Sequence, residues 1–248
     1  MNAAIIVNLA AYLVAIGFGL FAIASWRRRG VPVRRGLGLT LDRRTAPDIG
    51  AGVLIAAAAM VAILAVELAL GGVRAGAGAF DVPAALGFGL FLVLSGIIDE
   101  VLMRGMLISG LSAALGGRPM AAVLIGGVLF GMTHMFFAGA SALSVVSNSL
   151  GGVMYGLAFI LTGRIWLGLG LHFSWNFVQG PLLGFILSGH PVAGALFRVD
   201  DLGPAWLTGG LYGPEGGVVG VAFRLVVIAG VLAWARIAGS KMNRPLHI

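Results

Sequence analysis

Cysteine is absent from the chain. That excludes a disulfide framework, a thiolate metal site and a thiol nucleophile, and any metal would have to rely on His and carboxylate ligands. Charge is almost as scarce. Only 10% of residues are charged against 59% hydrophobic, more apolar side chain than one soluble core can cover, so lipid must solvate much of the chain. The net charge of +7 points to no nucleic acid partner, because the basic residues sit in loops beside apolar runs and are not interleaved with exposed aromatics. No repeat of transporter-half length and no soluble domain boundary is visible, and residues 1–248 read as a single membrane-embedded domain.

What is there is a series of apolar runs. About 20 apolar residues cross a bilayer. Runs of that order lie at 3–25, 49–71, 83–115, 120–138, 143–163, 165–187 and 218–237. The pattern predicts an all-α polytopic bundle of about seven spans, with room for an eighth element in the outer segment 188–217. The first run is followed, not preceded, by charge and is too long for the apolar core of a signal peptide, so it reads as an anchor. Arg27, Arg28, Arg29, Arg34, Arg35, Arg43 and Arg44 fall in the loop 26–48 and assign it to the cytoplasm. Alternation then predicts a cell-membrane protein with its amino terminus outside and its carboxyl terminus inside. Arg118, Arg164, Arg236, Lys241 and Arg244 join the cytoplasmic set, Arg74 and Arg198 lie outside, and Arg104 and Arg224 fall within spans. The third run is long enough to be tilted or broken. The Gly- and Pro-rich stretch 202–217 reads as a structured outer loop, with Pro214 and Glu215 placed to start the last helix.

Ionisable groups inside a bilayer are costly unless paired or facing a wet cavity. The third span carries Asp99, Glu100 and Arg104, the fourth Phe130-Gly-Met-Thr-His134, and the sixth His172-Phe-Ser-Trp-Asn176. Glu100 and Arg104 are four apart with the acid first, the better orientation for a helical ion pair. Asp99 lies about 100° further round the helix, so one acid is structural and the other is free for chemistry. His172 and Asn176, also four apart, share a helix face. Counted from the cytoplasmic ends these groups lie roughly 12–23 Å deep, so they can meet in one layer if the three helices are neighbours. A lone membrane histidine is more often a packing residue, but two acids, an Arg, two His and an Asn at similar depth are expensive for packing alone. Glu67 reads as a snorkelling or helix-contact residue near the outer face, Phe130 and Trp175 as core, and His190 and His247 as solvated.

In that order, Asp99-Glu100-x-x-x-Arg104, Phe130-x-x-x-His134 and His172-x-x-x-Asn176 resemble the signature of the CPBP intramembrane proteases, the family of CAAX prenyl endopeptidases and bacteriocin-processing enzymes. The resemblance covers about residues 83–235, including the Gly-Gly-Leu-Tyr-Gly-Pro-Glu-Gly-Gly loop at 209–217. It implies an endopeptidase acting on a membrane-associated protein or peptide. The first acid and His134 would hold and activate a water, and His172 and Asn176 would stabilise the oxyanion. Asp99, Glu100, His134, His172 and Asn176 are thus the candidate catalytic residues. Zinc is an alternative, with His134, His172, Asp99 and Glu100 as its ligands, but neither HExxH nor its inverse is present and the metal-free mechanism is favoured. The family's first acid is usually Glu. Asp99 retracts the carboxylate by about 1.5 Å, which leaves open a catalytically silent relative serving as an immunity or scaffold protein. A proton-coupled transporter is the third reading.

Overall fold

The computed structural model describes residues 3–239. Lys241, Arg244 and His247 lie outside the described residues. Helix α1 (Ala3–Arg28) is followed by a short turn α2 (Val33–Gly36), then α3 (Thr45–Ala69) and strand β1 (Val73–Ala77). The third run is α4 (Val82–Asp99), a π-helical stretch Glu100–Ile108 and α5 (Ser109–Ala114) in one continuous rod. Then come α6 (Pro119–Thr133), α7 (Ala142–Thr162) and α8 (Trp166–Phe177), which runs on into a second π-helical stretch, Val178–Leu182. Strand β2 (Phe197–Asp201), a single turn α9 (Ala205–Thr208) and two 3₁₀ turns precede α10 (Val218–Ile237).

The chain is an all-α multi-pass membrane bundle. Five of its described helices, Ala3–Arg28, Thr45–Ala69, Val82–Ala114, Ala142–Thr162 and Val218–Ile237, are long and apolar enough to cross a membrane. The fourth and sixth runs are shorter as helices than as apolar stretches. Helix α6 stops at Thr133 and yields to turns, and α8 gives way to a Pro-containing π turn. The segment 188–217 adds no further long helix. Its β2 pairs antiparallel with β1, Val73 opposite Asp201 and Ala77 opposite Phe197, a ribbon with no strong signal in the sequence.

Lipid tails are as apolar as leucine, so helices here must associate through close packing rather than hydrophobic exclusion. Small residues provide it. A Cβ at Gly52 of α3 would stand 2.7 Å from the Leu171 amide of α8, and one at Gly152 of α7 would stand 2.7 Å from the Gly127 Cα of α6. Polar residues fasten the two ends. At the arginine-rich end, Arg164 pairs with buried Asp48 at 2.7 Å, and Trp234 of α10 donates to the same carboxylate at 3.0 Å. Trp166 donates to the Thr40 carbonyl at 2.7 Å, which draws the basic loop onto α8. At the opposite end a cap closes the bundle, with the Gly189 amide on the Tyr212 carbonyl and the Leu202 amide on that of Gly72, both at 2.9 Å. Gly189 has φ +82° and lies against the Ala138 backbone, where a side chain would both strain and overlap.

The cap decides one expectation and corrects another. Of the two readings of Glu67, contact holds and snorkelling does not: the cap folds over its face of α3, leaving it 0% exposed with no hydrogen-bond partner on either carboxylate oxygen. Pro214 and Glu215 do not begin the last helix. They form a 3₁₀ turn, Gly217 is the N-cap, and Glu215 turns inward.

Candidate active site

The switch from α- to π-helix falls between the two acids. Asp99 ends α4 and Glu100 opens the π stretch, so neighbouring carboxylates leave the rod in different directions. Such π segments widen the helix locally and recur at functional sites. Asp99 is half-buried and lines a cavity of about 490 Å³, where it accepts a 2.6 Å hydrogen bond on Oδ1 from the Tyr12 hydroxyl of α1. Glu100 is fully buried and is not part of the cavity wall. Its Oε1 stands 3.3 Å from Arg104 Nη1 and 3.6 Å from His172 Nδ1, without hydrogen-bond geometry to either. Gly168 of α8 makes the space for it, since a Cβ there would overlap the Glu100 carboxylate. The Arg104 guanidinium lies between two aromatic faces, 5.0 Å from the centre of Phe130 and 4.7 Å from that of Tyr155. Phe130 is therefore a cation-supporting wall of the cavity as well as core.

His134 is the residue on which α6 ends, at the rim of the cavity. Its Nδ1 lies 2.9 Å from the Phe130 carbonyl oxygen and 3.0 Å from Thr133 Oγ1, whose own hydroxyl donates to that carbonyl at 2.7 Å. A ring nitrogen facing a carbonyl must carry the proton, so Nδ1–H donates and Nε2 is left with its lone pair. His172 and Asn176 line the same cavity from α8. The His172 ring stacks on Tyr155 at 5.1 Å with its Nδ1 toward Glu100, which leaves Nε2 for other partners. The bundle thus brings Asp99, His134, His172 and Asn176 to one cavity, and puts Glu100 and Arg104 behind its wall.

Motif reading missed part of this cavity. Arg224 of α10, 2% exposed, lines it and donates to Glu215 Oε2 at 3.0 Å. The same oxygen accepts from Trp175 Nε1 at 3.0 Å, Oε1 accepts from the Ser188 hydroxyl, and the Arg224 guanidinium lies 3.8 Å above the Trp175 ring. Trp175 is a core residue with a polar duty. Nearby, Asn148 donates to Tyr212 at 2.8 Å, and burial, with the Glu215 charge adding, pushes the Tyr212 phenol above its ordinary range so that it stays protonated. His190 is exposed, as expected, yet lines the cavity's outer rim. One sequence signal was available: the chain has 3 tyrosines, and Tyr12, Tyr155 and Tyr212 all serve this site.

The conditional zinc ligands do not converge. Glu100 is turned to Arg104 and His172, His134 Nδ1 is committed to a backbone carbonyl, and among the described residues no three His, Asp or Glu side chains are grouped to hold a metal.

Residues 81–178 match the model of a family described as type II CAAX prenyl endopeptidase Rce1-like. Over these residues the motif-bearing core is similar to that family. That agrees with the CPBP resemblance carried by its three motifs, all of which fall inside the matched residues. Neither a curated protein nor a solved structure matches the chain. Tyr12, Ser188, Glu215 and Arg224 lie outside residues 81–178, so α1, the cap and α10 supply a second layer beyond the matched segment.

Proposed function

We propose that the protein is an intramembrane endopeptidase that hydrolyses a membrane-associated protein or peptide. The observation that carries the reading is the shared cavity: a carboxylate, an imidazole with a free Nε2 and two potential oxyanion donors, from three helices, facing about 490 Å³. In the proposed reaction Asp99 and His134 Nε2 hold a water. Asp99 takes its proton as the water oxygen attacks the peptide carbonyl carbon. The tetrahedral oxyanion accepts hydrogen bonds from His172 Nε2 and Asn176, donors aimed where negative charge develops. The proton then passes to the amide nitrogen, the C–N bond breaks, and a carboxyl and an amine terminus leave. No hydrogen bond fixes the proton on His172 Nδ1, so the ring can carry it on Nε2 and donate from there. Glu100, whose carboxylate lies 3.6 Å behind that Nδ1, is a positioning residue for the ring, and Tyr12 fixes the Asp99 rotamer while leaving Oδ2 free.

The test is quantitative proteomics of membranes from cells carrying wild type, Asp99→Asn or no protein. A cleavage product present only with wild type supports the peptidase. A second reading, the silent relative, is favoured by the shorter acid at position 99. Inert wild-type protein that gains cleavage as Asp99→Glu would establish that reading, and no cleavage by any variant would reject the peptidase.

A further inference from the structure

The cavity is not placed symmetrically between the two ends of the bundle. Arg27, Arg28, Arg29, Arg34, Arg35, Arg43, Arg44, Arg118, Arg164 and Arg236 all belong to one end, the end at which Arg164, Asp48 and Trp234 are tied together. Among the described residues the cap holds only Arg74 and Arg198. The cavity belongs to the cap end. Its wall includes Asn8 from the first turns of α1, His134 from the end of α6 remote from Arg118, and Ser188, His190 and Glu215 of the cap itself. Toward the arginine-rich end it is floored by buried Met103, with Phe130 and Tyr155 enclosing Arg104 beside it. Its exposed wall residues are His190 in the cap and Phe91, 59% exposed on the outer half of α4.

We infer that the site opens on the extracytoplasmic side and takes an apolar peptide segment presented from the outer leaflet. Loops rich in Arg stay in the cytoplasm, and the bias of the described residues is ten to two against the cap end. The approach between α1 and α4 is apolar, lined by Phe88, Phe91 and Leu92, with Asn8, Tyr12 and Asp99 polar beyond it. Helix α1 packs on the π stretch and α5 at its cytoplasmic half, burying Ala15, Gly19, Ala22 and Trp26, and its outer half turns to α6, with Ala4 buried and Asn8 donating to the Thr133 carbonyl, so the flank of α4 that carries Leu86, Leu90 and Phe91 stays exposed to lipid. An unfolded segment with aliphatic or aromatic side chains fits this wall, and its backbone carbonyl is the polar group that reaches the deep end. A prenylated cytoplasmic tail would meet the wrong face. The substrate class rests on the peptidase reading, whereas the sidedness does not.

The absence of cysteine makes the test clean. Single-cysteine variants His190→Cys and Arg35→Cys are treated with a membrane-impermeant maleimide on intact cells and on inverted vesicles. His190→Cys should label at least tenfold faster on intact cells, and Arg35→Cys at least tenfold faster on inverted vesicles. The reverse pattern, or equal labelling of either variant in both preparations, overturns the inference. In a second arm one apolar reporter segment is anchored at the outer or the inner face. Cleavage of the outer reporter alone, lost in Asp99→Asn, supports the substrate class, and cleavage of the inner one overturns it. If neither is cleaved while the labelling is as expected, the peptidase reading and its substrate class fail and the sidedness stands.

Discussion

Two buried acid–arginine pairs flank the cavity, and they are built differently. Glu215 and Arg224 come from the cap and α10 and meet at 3.0 Å with hydrogen-bond geometry; Trp175 and Ser188 supply two further donors to the carboxylate. Glu100 and Arg104 come from one helix, meet at 3.3 Å without that geometry, and share the carboxylate with His172. A satisfied pair acts as a clasp. An under-satisfied one keeps electrostatic capacity for a third group, here an imidazole that faces the cavity. The first pair holds the cap on the bundle, and in the proposed reaction the second acts on the chemistry.

The largest effect should come from the clasp. Glu215→Ala strands the Arg224 charge and two donors, and should lower stability by about 3–5 kcal/mol, read as a drop in detergent melting temperature. Equal melting of Glu215→Ala and wild type would erase the distinction between the pairs. Next are the two donors of the second region. His172→Ala and Asn176→Ala should each slow hydrolysis by about 10²–10³-fold. Their melting should stay within about 1 kcal/mol of wild type, because neither side chain is fully buried.

Glu100→Ala and Arg104→Ala should each destabilise by about 3 kcal/mol, the low end of the range for a broken buried pair, with the double variant less than additive. Additive losses would mean that the two charges do not interact. The smallest shift is expected of Gly168→Ala. The new methyl displaces the Glu100 carboxylate, costing about 1–3 kcal/mol of overpacking, and should lower activity by disturbing His172. Intact activity in a destabilised Gly168→Ala protein would separate Glu100 from the chemistry.

The contrast between the pairs also marks what a sequence can say. Glu100–Arg104 is local, four residues apart on one rod, and helix periodicity alone brings the two together. Glu215–Arg224 is nine residues apart across a 3₁₀ turn and a glycine N-cap, where periodicity fails, and Pro214 with Glu215 carries instead the residue types of a helix start. Seven apolar runs were legible because lipid demands them. The ribbon of Val73–Ala77 with Phe197–Asp201 was not, because its strands are short and mostly exposed and the first contains a glycine. The cavity's motif residues were legible as costly polar groups in apolar runs. Tyr12 was not: a tyrosine in an anchor helix carries no motif, and only the packing of α1 on the π stretch brings it to Asp99. Of the two readings of Glu67, burial leaves helix contact and removes snorkelling, because a distant loop covers an acid that the sequence places near a helix end.

In the proposed reaction the two adjacent acids divide the work, Asp99 in the cavity as the base and Glu100 behind its wall as the group that positions His172. The most direct test measures single-turnover cleavage by purified Asp99→Asn and Glu100→Gln on a peptide spanning the cleavage site found by proteomics, with melting recorded for both. The account predicts that Asp99→Asn stays folded and loses hydrolysis by about 10²–10⁴-fold, the usual contribution of a general base. Glu100→Gln should melt lower and retain measurable turnover. Full cleavage by Asp99→Asn, with folded Glu100→Gln inert, would contradict it and exchange the roles of the two acids.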